Sequence, residues 1–582
     1  MSGICGYVGS APPGILDAML APIDYRGDRN DLFEADRVGL GYRWWGGRPG
    51  KSPRIYRGPE VAAVCAGTFA PHVDSPAMAL PVLLRGEVGG LDKLDGAFAG
   101  ACWDGQRRQL KLLRDPFGVR SLYYVWHAGV FYFASELKQL LAIPGLPIAL
   151  DRVALHKFLT FSFVPGEDVP VVGVRRILPG HVATWSDGHL QITPYAVLRE
   201  DLDPALQDKR QAVRRVRTLC REAVRKRLHG ESRVGLYLSG GLDSSGIAVW
   251  LKEAGAEVQA WSLDFGAASV EKDQARAVAD RLGIALQFHP VDGADVARIL
   301  PDLVWKLDLP FGDPVTGPQY LLGRAARASG LEVVFNGEGG DQLFGGWTNK
   351  PMITAQLYAS MYGDDSREEL YLRSYHRFYG LEEKLYTPEF RAAVGTPGQR
   401  RAHLKPYLES DLATTFLNRL RFADLALKGS QNILPRAERM SNGWGLDVRV
   451  PLFDRALATT SFQLPPQMKL NGACEKYVLK LALKKSLPPE VVWRRKFGMS
   501  VPITDWVVGP LATTMADLLG PDSLARRGLF RPEFVAHLRG GGNVPNEVRK
   551  RRIGERLWTL AMAEAWMRVF IDGRGQRPGG IG

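Results

Sequence analysis

The sequence predicts an α/β protein of two domains, an antiparallel β-sandwich followed by a parallel sheet that leads into a mostly helical C-terminal part. The chain of 582 residues is too long for a single hydrophobic core. Residues 1 to about 190 alternate short apolar and polar segments between glycine and proline turns, a pattern typical of antiparallel sheets packed face to face. After residue 210, fully apolar strands alternate with helix-length segments, which indicates a parallel sheet covered on both faces.

A charged linker is predicted to separate the two domains. The segment REDLDPALQDKRQ follows a last predicted hairpin, PGHVATWSDG, and precedes the helical periodicity of VRRVRTLCREAVRKRL. We therefore expect one domain at residues 1–195 and a second at residues 210–570. The glycine-rich end, residues 571–582, is expected to be a disordered tail.

Composition and charge limit the classes of function. Apolar residues make up 45% and charged residues 24% of the chain, as in ordinary globular proteins. The sequence has no apolar run of bilayer length and no charged-then-apolar leader, so we expect a cytoplasmic protein without a membrane partner. Five scattered cysteines predict neither disulfides nor a zinc site. The net charge is +13, but the basic residues are spread along the chain, and nucleic acid is not an expected partner.

The strongest chemical signal is the segment YLSGGLDSSG, residues 237–246, which joins an apolar strand to a predicted helix. Its glycines allow a sharp turn and close approach to a ligand, and its serine hydroxyls and the helix N-terminus suit a phosphate group. Asp243 suits a phosphate-bound Mg²⁺. The segment lacks the lysine of the GxxxxGK[ST] loop. It matches SGGxDS, the signature of enzymes that split ATP into AMP and pyrophosphate.

A second loop, NGEGGD at residues 336–341, follows another predicted sheet strand. Ligands of open parallel sheets bind at the carboxyl ends of the strands, so this loop is expected to face the first one. Asp341 would then supply a second carboxylate to Mg²⁺. Glu338 would lie near the α-phosphate and the carboxylate that is activated.

These motifs resemble the synthetase domain of the asparagine synthetase B family. The segments SGGLDSS, DLPFGDP, GEGGDQLFGG, LDVRVPLFD and RRKFGMSVP occur in that order. The N-terminal half contains the similar segments RDPFGVRSLYY, FASELKQLL and FVPG with VRRILPGH. The resemblance covers about residues 1–510. It implies an Ntn-hydrolase-like, glutaminase-related sandwich followed by a pyrophosphate-loop (PP-loop) ATP-pyrophosphatase domain.

The resemblance also implies a mechanism and a set of site residues. In the family a carboxylate attacks the α-phosphate of ATP, and an amine captures the acyl-adenylate. Lys496 matches a lysine that neutralises charge as the intermediates form, and Asp447 stands where the family usually shows glutamate. The implied ATP contacts are Leu238, Ser239, Gly240, Gly241, Asp243, Ser244, Leu263, Asn336 and Gly337; the implied Mg²⁺ ligands are Asp243 and Asp341; the implied catalytic residues are Glu338, Lys496 and Asp447.

The first residues, MSGICGYVG, depart from the family pattern. Family glutaminases begin with a cysteine that removal of Met1 exposes, and here Ser2 stands in its place, with a hydroxyl that is rarely ionised at neutral pH. The segment that builds the family's oxyanion hole, Asn-Gly-Glu, reads Ala66-Gly67-Thr68. Loss of such a donor costs about 10²–10³ in rate. The glutaminase-like domain is therefore predicted to be inactive.

Without glutamine hydrolysis, the source of the amine is open. Free ammonia would make the enzyme an ammonia-dependent asparagine synthetase. An amine of the substrate itself would make it a cyclase, as in β-lactam synthetases and lasso-peptide cyclases of natural-product biosynthesis. Retention of Glu338 favours intermolecular amide formation, and the altered glutaminase favours cyclisation or a dedicated amine. The expected partners are a small-molecule or peptide carboxylate and an amine, and a homodimer or a pathway partner is left open.

Two other classes of protein also fit parts of the sequence. A tRNA-modifying pyrophosphatase would share SGGxDS, but it would usually add an RNA-binding module or catalytic cysteines near the loop. A scaffold that has lost catalysis would not be expected to retain both loops and Lys496. Both alternatives are therefore less favoured than the ligase.

Overall fold

The computed structural model describes residues 2–46, 54–70, 73, 75–85, 91, 93–346, 367–375, 377–396, 404–494, 501–541 and 547–579. In the described part of the N-terminal half, twelve strands form two antiparallel sheets. The strands are β1 (Ser2–Val8), β2 (Arg29–Ala35), β3 (Val38–Trp44), β4 (Ile55–Arg57), β5 (Val61–Ala70), β6 (Asp95–Asp104), β7 (Gln109–Arg114), β8 (Tyr123–His127), β9 (Val130–Ala134), β10 (Arg175–Arg176), β11 (His181–Ser186) and β12 (His189–Pro194). The helices of this half are α1 (Ile15–Leu20), α2 (Pro76–Arg85), α3 (Leu137–Leu141) and α4 (Arg152–Phe161), with a 3₁₀ helix at Ala21–Arg26.

The two sheets pack face to face as the sequence predicts. The first sheet has the order β10-β8-β9-β1-β3-β2, and the second has the order β12-β11-β7-β6-β5-β4. Because alternate residues of a strand point to one face, Ile4 and Phe133 of the first sheet meet Val64 and Leu112 of the second in one apolar core.

The described residues of the second half form a five-stranded sheet whose neighbouring strands are all parallel. The strands are β13 (Arg233–Tyr237), β14 (Glu257–Asp264), β15 (Ala285–Pro290), β16 (Val333–Asn336) and β17 (Asp447–Arg449). Their order is β15-β14-β13-β16-β17. The chain therefore adds β14 and β15 on one side of β13 and then β16 and β17 on the other side. This reversal puts the topological switch point between β13 and β16.

Helices cover this sheet and form the C-terminal part. The helices before residue 345 are α5 (Lys209–Leu228), α6 (Leu242–Glu253), α7 (Lys272–Leu282), α8 (Gly293–Leu307), α9 (Thr316–Ala328) and α10 (Gly340–Phe344), with 3₁₀ helices at Pro204–Gln207 and Gly266–Ala268. The later ones are α11 (Arg367–Ser374), α12 (Glu382–Leu385), α13 (Pro388–Ala393), α14 (Lys405–Leu408), α15 (Phe416–Ala423), α16 (Leu434–Asn442), α17 (Arg455–Gln463), α18 (Pro466–Lys469), α19 (Tyr477–Leu483), α20 (Pro489–Val492), α21 (Ile503–Val508), α22 (Ala512–Leu519), α23 (Pro521–Arg527), α24 (Pro532–Gly540) and α25 (Glu547–Met567), with π-helices at Asp424–Ile433 and Arg568–Asp572. The predicted fold class is confirmed.

A buried network of charged side chains joins the two halves. Arg26 and Arg120 of the N-terminal half contact the carboxylate of Glu438 on α16, at 2.8 and 2.9 Å. Arg26 also pairs with Glu136, whose carboxylate lies 2.6 Å from the guanidinium of Arg439. All five side chains are buried. Ionised groups removed from water are tolerated only when they neutralise one another, so this interdomain network specifies how the halves dock.

The residues predicted to begin a disordered tail pack onto this junction instead. The indole N–H of Trp305 donates to the carbonyl of Gly575 at 3.2 Å, and the guanidinium of Arg577 lies 5.2 Å from the ring centre of Trp305. Arg577 also lies 3.6 Å from Asp302 and 3.9 Å from Asp24. The prediction of disorder does not hold for residues 571–579, because it rests on glycine content, whereas these contacts are made by the side chains of Arg577 and Trp305 and the carbonyl of Gly575.

A second charged contact across the junction joins Asp95, at the start of β6, to Asp454 and Arg227. The guanidinium of Arg227 lies 3.0 Å from Asp454 and 3.4 Å from Asp95. Burial, offset in part by Arg227 and reinforced by the carboxylate of Asp454, raises the pKa of Asp95 from 3.8 to about 7. A group whose pKa is raised in the folded state makes the protein most stable when it is protonated. For Asp95 this contribution is fully present below pH 3.8, the ordinary pKa, and is lost as the pH rises through about 7.

We therefore expect Asp95→Asn to raise the melting temperature of the protein at about pH 8, where the wild type buries two ionised carboxylates, and to raise it less at about pH 5. Thermal unfolding at the two pH values measures this difference. Asp104→Asn, at the partly exposed other end of β6, is the matched control and should show no pH-dependent gain. A variant destabilised equally at both pH values would contradict the assignment.

Within the parts of the chain that the structure describes, none of the helices combines the length and the apolar content that crossing a bilayer requires.

Candidate active site

The two predicted loops meet at the switch point of the parallel sheet. Tyr237 of β13 pairs with Asn336 of β16, so both loops leave the same edge of the sheet. A β-carbon on Gly337 would lie 2.5 Å from the backbone nitrogen of Ser244, which means that the loops touch and only glycine fits. The structure therefore brings together the two motifs that lie about ninety residues apart in the sequence.

The first loop is arranged to receive an anion. Gly240 has a φ of +77°, a backbone conformation that favours glycine. The hydroxyl oxygens of Ser239 and Ser244 are 3.0 Å apart, and the backbone N–H of Gly241 donates to Ser239 at 3.2 Å. Helix α6 begins directly after Gly241 without a side-chain cap. Its first N–H groups and the positive end of its dipole thus face the space between the loops.

A cleft of about 270 Å³ opens in front of these loops. Its apolar end contains Leu263 together with Trp261, Phe265 and Val270, side chains suited to a flat heterocyclic base. Of the predicted ATP contacts, those that line the cleft are Leu238, Ser239, Gly241, Asp243, Ser244, Leu263, Asn336 and Gly337. Gly240 supports the loop from behind, where a β-carbon would lie 2.6 Å from the backbone nitrogen of Ala275.

Lys476 is the residue of this site that the sequence did not reveal. Its ammonium lies 2.7 Å from a carboxylate oxygen of Asp341 and also pairs with Asp243. Only 3% of the lysine side chain is exposed. Lys476 precedes α19 in a left-handed backbone conformation, with a φ of 53°, and this turn directs it toward the two loops. The sequence around it, CEKYVLK, has the pattern of an ordinary helix start and gave no signal.

Asp243 and Asp341 fit the Mg²⁺ ligands that the resemblance implies. One cation already bridges the two carboxylates, so they lie close enough to share a metal ion. The second carboxylate oxygen of Asp243 is buried and has no hydrogen-bond partner among the described residues. The described part of the chain contains no group of three or more acidic, histidine or cysteine side chains arranged to hold a metal ion by themselves. Phosphate oxygens would therefore complete the coordination, as Mg²⁺ prefers.

Glu338 lies on the other side of the loop, beside two residues that the sequence did not assign. The guanidinium of Arg436, on α16, lies 3.3 Å from the carboxylate of Glu338 and pairs with Asp313 as well. Burial alone would raise the pKa of Asp313, but Arg436 and the N–H of Val315 outweigh it, and the pKa lies below its ordinary value. One buried guanidinium therefore holds two partly exposed carboxylates, of which that of Glu338 lines the cleft.

Comparison with known protein families decides the class. The family model "Asparagine synthase" matches residues 215–568, which is more than half of the chain. This chain belongs to the asparagine synthase family. A second model, "Glutamine amidotransferase domain", matches residues 66–196. The resemblance seen in the sequence is confirmed, and the protein is an ATP-dependent, amide-forming ligase of the asparagine synthase family.

Relatives of this asparagine synthase family member span most of its length. Asparagine synthetase [glutamine-hydrolyzing] 1 of Bacillus subtilis is 28% identical over 507 residues, 83% of this chain and 79% of that protein. A putative asparagine synthetase of Mycobacterium bovis is 28% identical over 520 residues, 83% of this chain and 78% of that protein. The amidase chry2 of Gibberella zeae is 25% identical over 492 residues, 74% of this chain and 73% of that protein.

The structure does not bring Asp447 into the cleft of this asparagine synthase family member. Asp447 is the first residue of β17 and pairs with Val333, the first residue of β16, so it lies at the sheet edge opposite the loops. Its carboxylate lies 3.3 Å from each of Arg120 and Arg449. Asp447 therefore takes part in the charged contacts of the junction, and the catalytic role that the resemblance implies for it stays a prediction. Lys496, the remaining predicted catalytic residue, lies outside the described residues.

Ser2 lies in the sandwich, on β1 beside Trp44 of β3. It is 4% exposed, its hydroxyl contacts the phenol of Tyr42, and the guanidinium of Arg26 donates to its carbonyl at 3.4 Å. Ala66 of β5, at the predicted oxyanion position, carries no side-chain donor. Inactivity of the glutaminase-like half of this asparagine synthase family member remains a prediction.

Proposed function

We propose that this asparagine synthase family member activates a substrate carboxylate with Mg²⁺·ATP as an acyl-adenylate, releases pyrophosphate, and transfers the acyl group to an amine. The observation that carries the proposal is the single cleft formed by the SGGLDSS and NGEGGD loops at the switch point, with Lys476 between them and Glu338 at its border. A small-molecule or peptide carboxylate and an amine are the proposed substrates.

Each proposed step uses groups that lie in or beside the cleft. A carboxylate oxygen bonds to the α-phosphorus while the bond from that phosphorus to the bridging oxygen of pyrophosphate breaks. The N–H groups of α6 and the loop hydroxyls hold the departing pyrophosphate, and Lys476 places a positive charge beside it. Bound Mg²⁺, held by Asp243 and Asp341, would neutralise phosphate charge.

The second step uses the other border of the cleft. The amine nitrogen bonds to the acyl carbon, the bond from that carbon to the AMP oxygen breaks, and AMP leaves. Glu338 is the proposed acceptor of the amine proton, because Arg436 fixes its carboxylate there.

The products of ATP test the proposal. With ATP labelled in the α-phosphate, a candidate carboxylate and ammonia or hydroxylamine, we expect labelled AMP and an equal amount of pyrophosphate. The SGGLDSS loop lacks the lysine of the GxxxxGK[ST] loop, which is found in enzymes that cleave the γ-phosphate of ATP. ADP as the main labelled product would overturn the proposed chemistry.

The amine is proposed to come from a source other than glutamine. Ser2 is buried, and its hydroxyl is hydrogen-bonded to the phenol of Tyr42. We expect Ser2→Ala to leave hydroxylamine-dependent amide formation unchanged, and the wild type to release no glutamate from glutamine. Ser2→Cys alone should not create glutaminase activity, because Ala66 supplies no oxyanion donor. Glutamate release by the wild type would show instead that glutamine supplies the ammonia.

An intramolecular cyclase is the second candidate, favoured by the same burial of Ser2. It would use an amine within the carboxylate substrate, as the β-lactam synthetases and lasso-peptide cyclases of natural-product biosynthesis do. Mass spectrometry separates the two candidates, since cyclisation removes one water from the substrate whereas capture of ammonia replaces a hydroxyl by an amino group.

A further inference from the structure

The nucleotide cleft contains a cation of its own. The ammonium of Lys476 bridges carboxylates from the two loops, Asp341 at 2.7 Å and Asp243 in closer contact. The neighbouring Lys480 is paired differently, with Glu475 at 3.3 Å. Lys476 therefore occupies the place between the two carboxylates that are proposed to hold the metal ion.

Charge explains why a cation is needed there before nucleotide binds. Two partly buried carboxylates held close together repel each other unless a positive group lies between them. Asp243 stands in the first turn of α6 and Asp341 in that of α10, so both carboxylates are held by short structured segments and have little freedom to separate. A buried lysine with a flexible four-carbon stem meets this need and can later turn away.

We propose that Lys476 is a resident surrogate for the metal: its ammonium excludes Mg²⁺ from Asp243 and Asp341 in the nucleotide-free enzyme and moves to the phosphates when ATP delivers the ion. The inference rests on the proposed Mg²⁺·ATP site. The phosphates supply both the negative charge that draws Lys476 away and the oxygens that complete the coordination of Mg²⁺. Free metal and nucleotide must then bind with strong positive cooperativity.

Titration with Mn²⁺ alone, followed by electron paramagnetic resonance on the full chain, tests this inference. We expect the wild type to bind Mn²⁺ at least about tenfold more weakly than Lys476→Met. In that variant no ammonium competes with the metal ion for the carboxylates of Asp243 and Asp341. The double variant Asp243→Asn with Lys476→Met should lose the gain. Lys480→Met, which removes a lysine from the same cleft, is the matched control and should bind Mn²⁺ like the wild type.

A second measurement covers variants that fold poorly. Millimolar MgCl₂ should raise the melting temperature of Lys476→Met or Lys476→Gln and leave that of the wild type unchanged. In the wild type, α,β-methylene-ATP should raise Mn²⁺ affinity at least about tenfold. Equal Mn²⁺ affinity in wild type and Lys476→Met would overturn the inference. Because the first titration contains no nucleotide, its outcome is independent of whether ATP yields AMP or ADP.

Discussion

Replacing Asp243 by asparagine is expected to lower ATP–pyrophosphate exchange by about 10²- to 10³-fold. The substitution keeps the size of the side chain but removes the charge that holds Lys476 and, in the proposed function, Mg²⁺. Exchange should fall in the same way in Asp341→Asn, because each carboxylate alone leaves the cation poorly held. The measurement is incorporation of labelled pyrophosphate into ATP in the presence of the carboxylate substrate.

Asp273→Asn is the control for this effect. It makes the same chemical change at an exposed position in the first turn of α7, on the helix that follows the cleft. We expect normal exchange there. Asp243→Asn with more than half of the wild-type exchange rate, at an unchanged melting temperature, would remove Asp243 from the proposed ATP site.

The second large effect is expected at Glu438, which neutralises Arg26 and Arg120 across the junction. Glu438→Gln should lower the free energy of unfolding by about 3–5 kcal/mol, because it removes a negative charge that several buried guanidinium groups share. Burial alone would raise the pKa of Glu438, but Arg26, Arg439 and Arg120 outweigh it and lower the pKa to about 2. Its stabilising contribution should therefore be complete above the ordinary carboxyl pKa of 4.5 and be lost as the pH falls toward 2.

Urea unfolding of the full chain at neutral pH measures this loss. Glu253→Gln is the matched control, since Glu253 pairs with Arg217 and Arg221 at the protein surface and should contribute at most about 1 kcal/mol. A loss for Glu438→Gln no larger than that of the control would contradict the role given to the interdomain network.

Much of the fold could be predicted because its signals are local. The SGGLDSS and NGEGGD loops each stand between an apolar strand and a helix, and the rule that ligands bind at the carboxyl ends of parallel strands placed them together. The inward-facing apolar residues of the N-terminal strands likewise recur with the two-residue period of a sandwich.

What could not be predicted depends on contacts between distant parts of the chain. Lys476 reaches Asp243 from more than two hundred residues away, through a left-handed turn that no helix periodicity reveals. The position of Asp447 outside the cleft could not be predicted, because β17 has only three residues, too few to show a strand pattern or its register beside β16. Arg436 is one arginine among many in the sequence, and only its burial against Glu338 distinguishes it.

The late position of β17 has a consequence for the synthesis of the protein. The apolar strand β16 ends at Asn336, whereas the strand that covers its outer edge comes from residues 447–449. While the intervening segment is being translated, Val333, Val334 and Phe335 present an open row of backbone donors and acceptors. Such an edge is a template for aggregation. Expression fragments that end before Arg449 should therefore be avoided, because they leave the edge of β16 unpaired. Slower translation of residues 337–449 would lengthen the time during which this edge can aggregate.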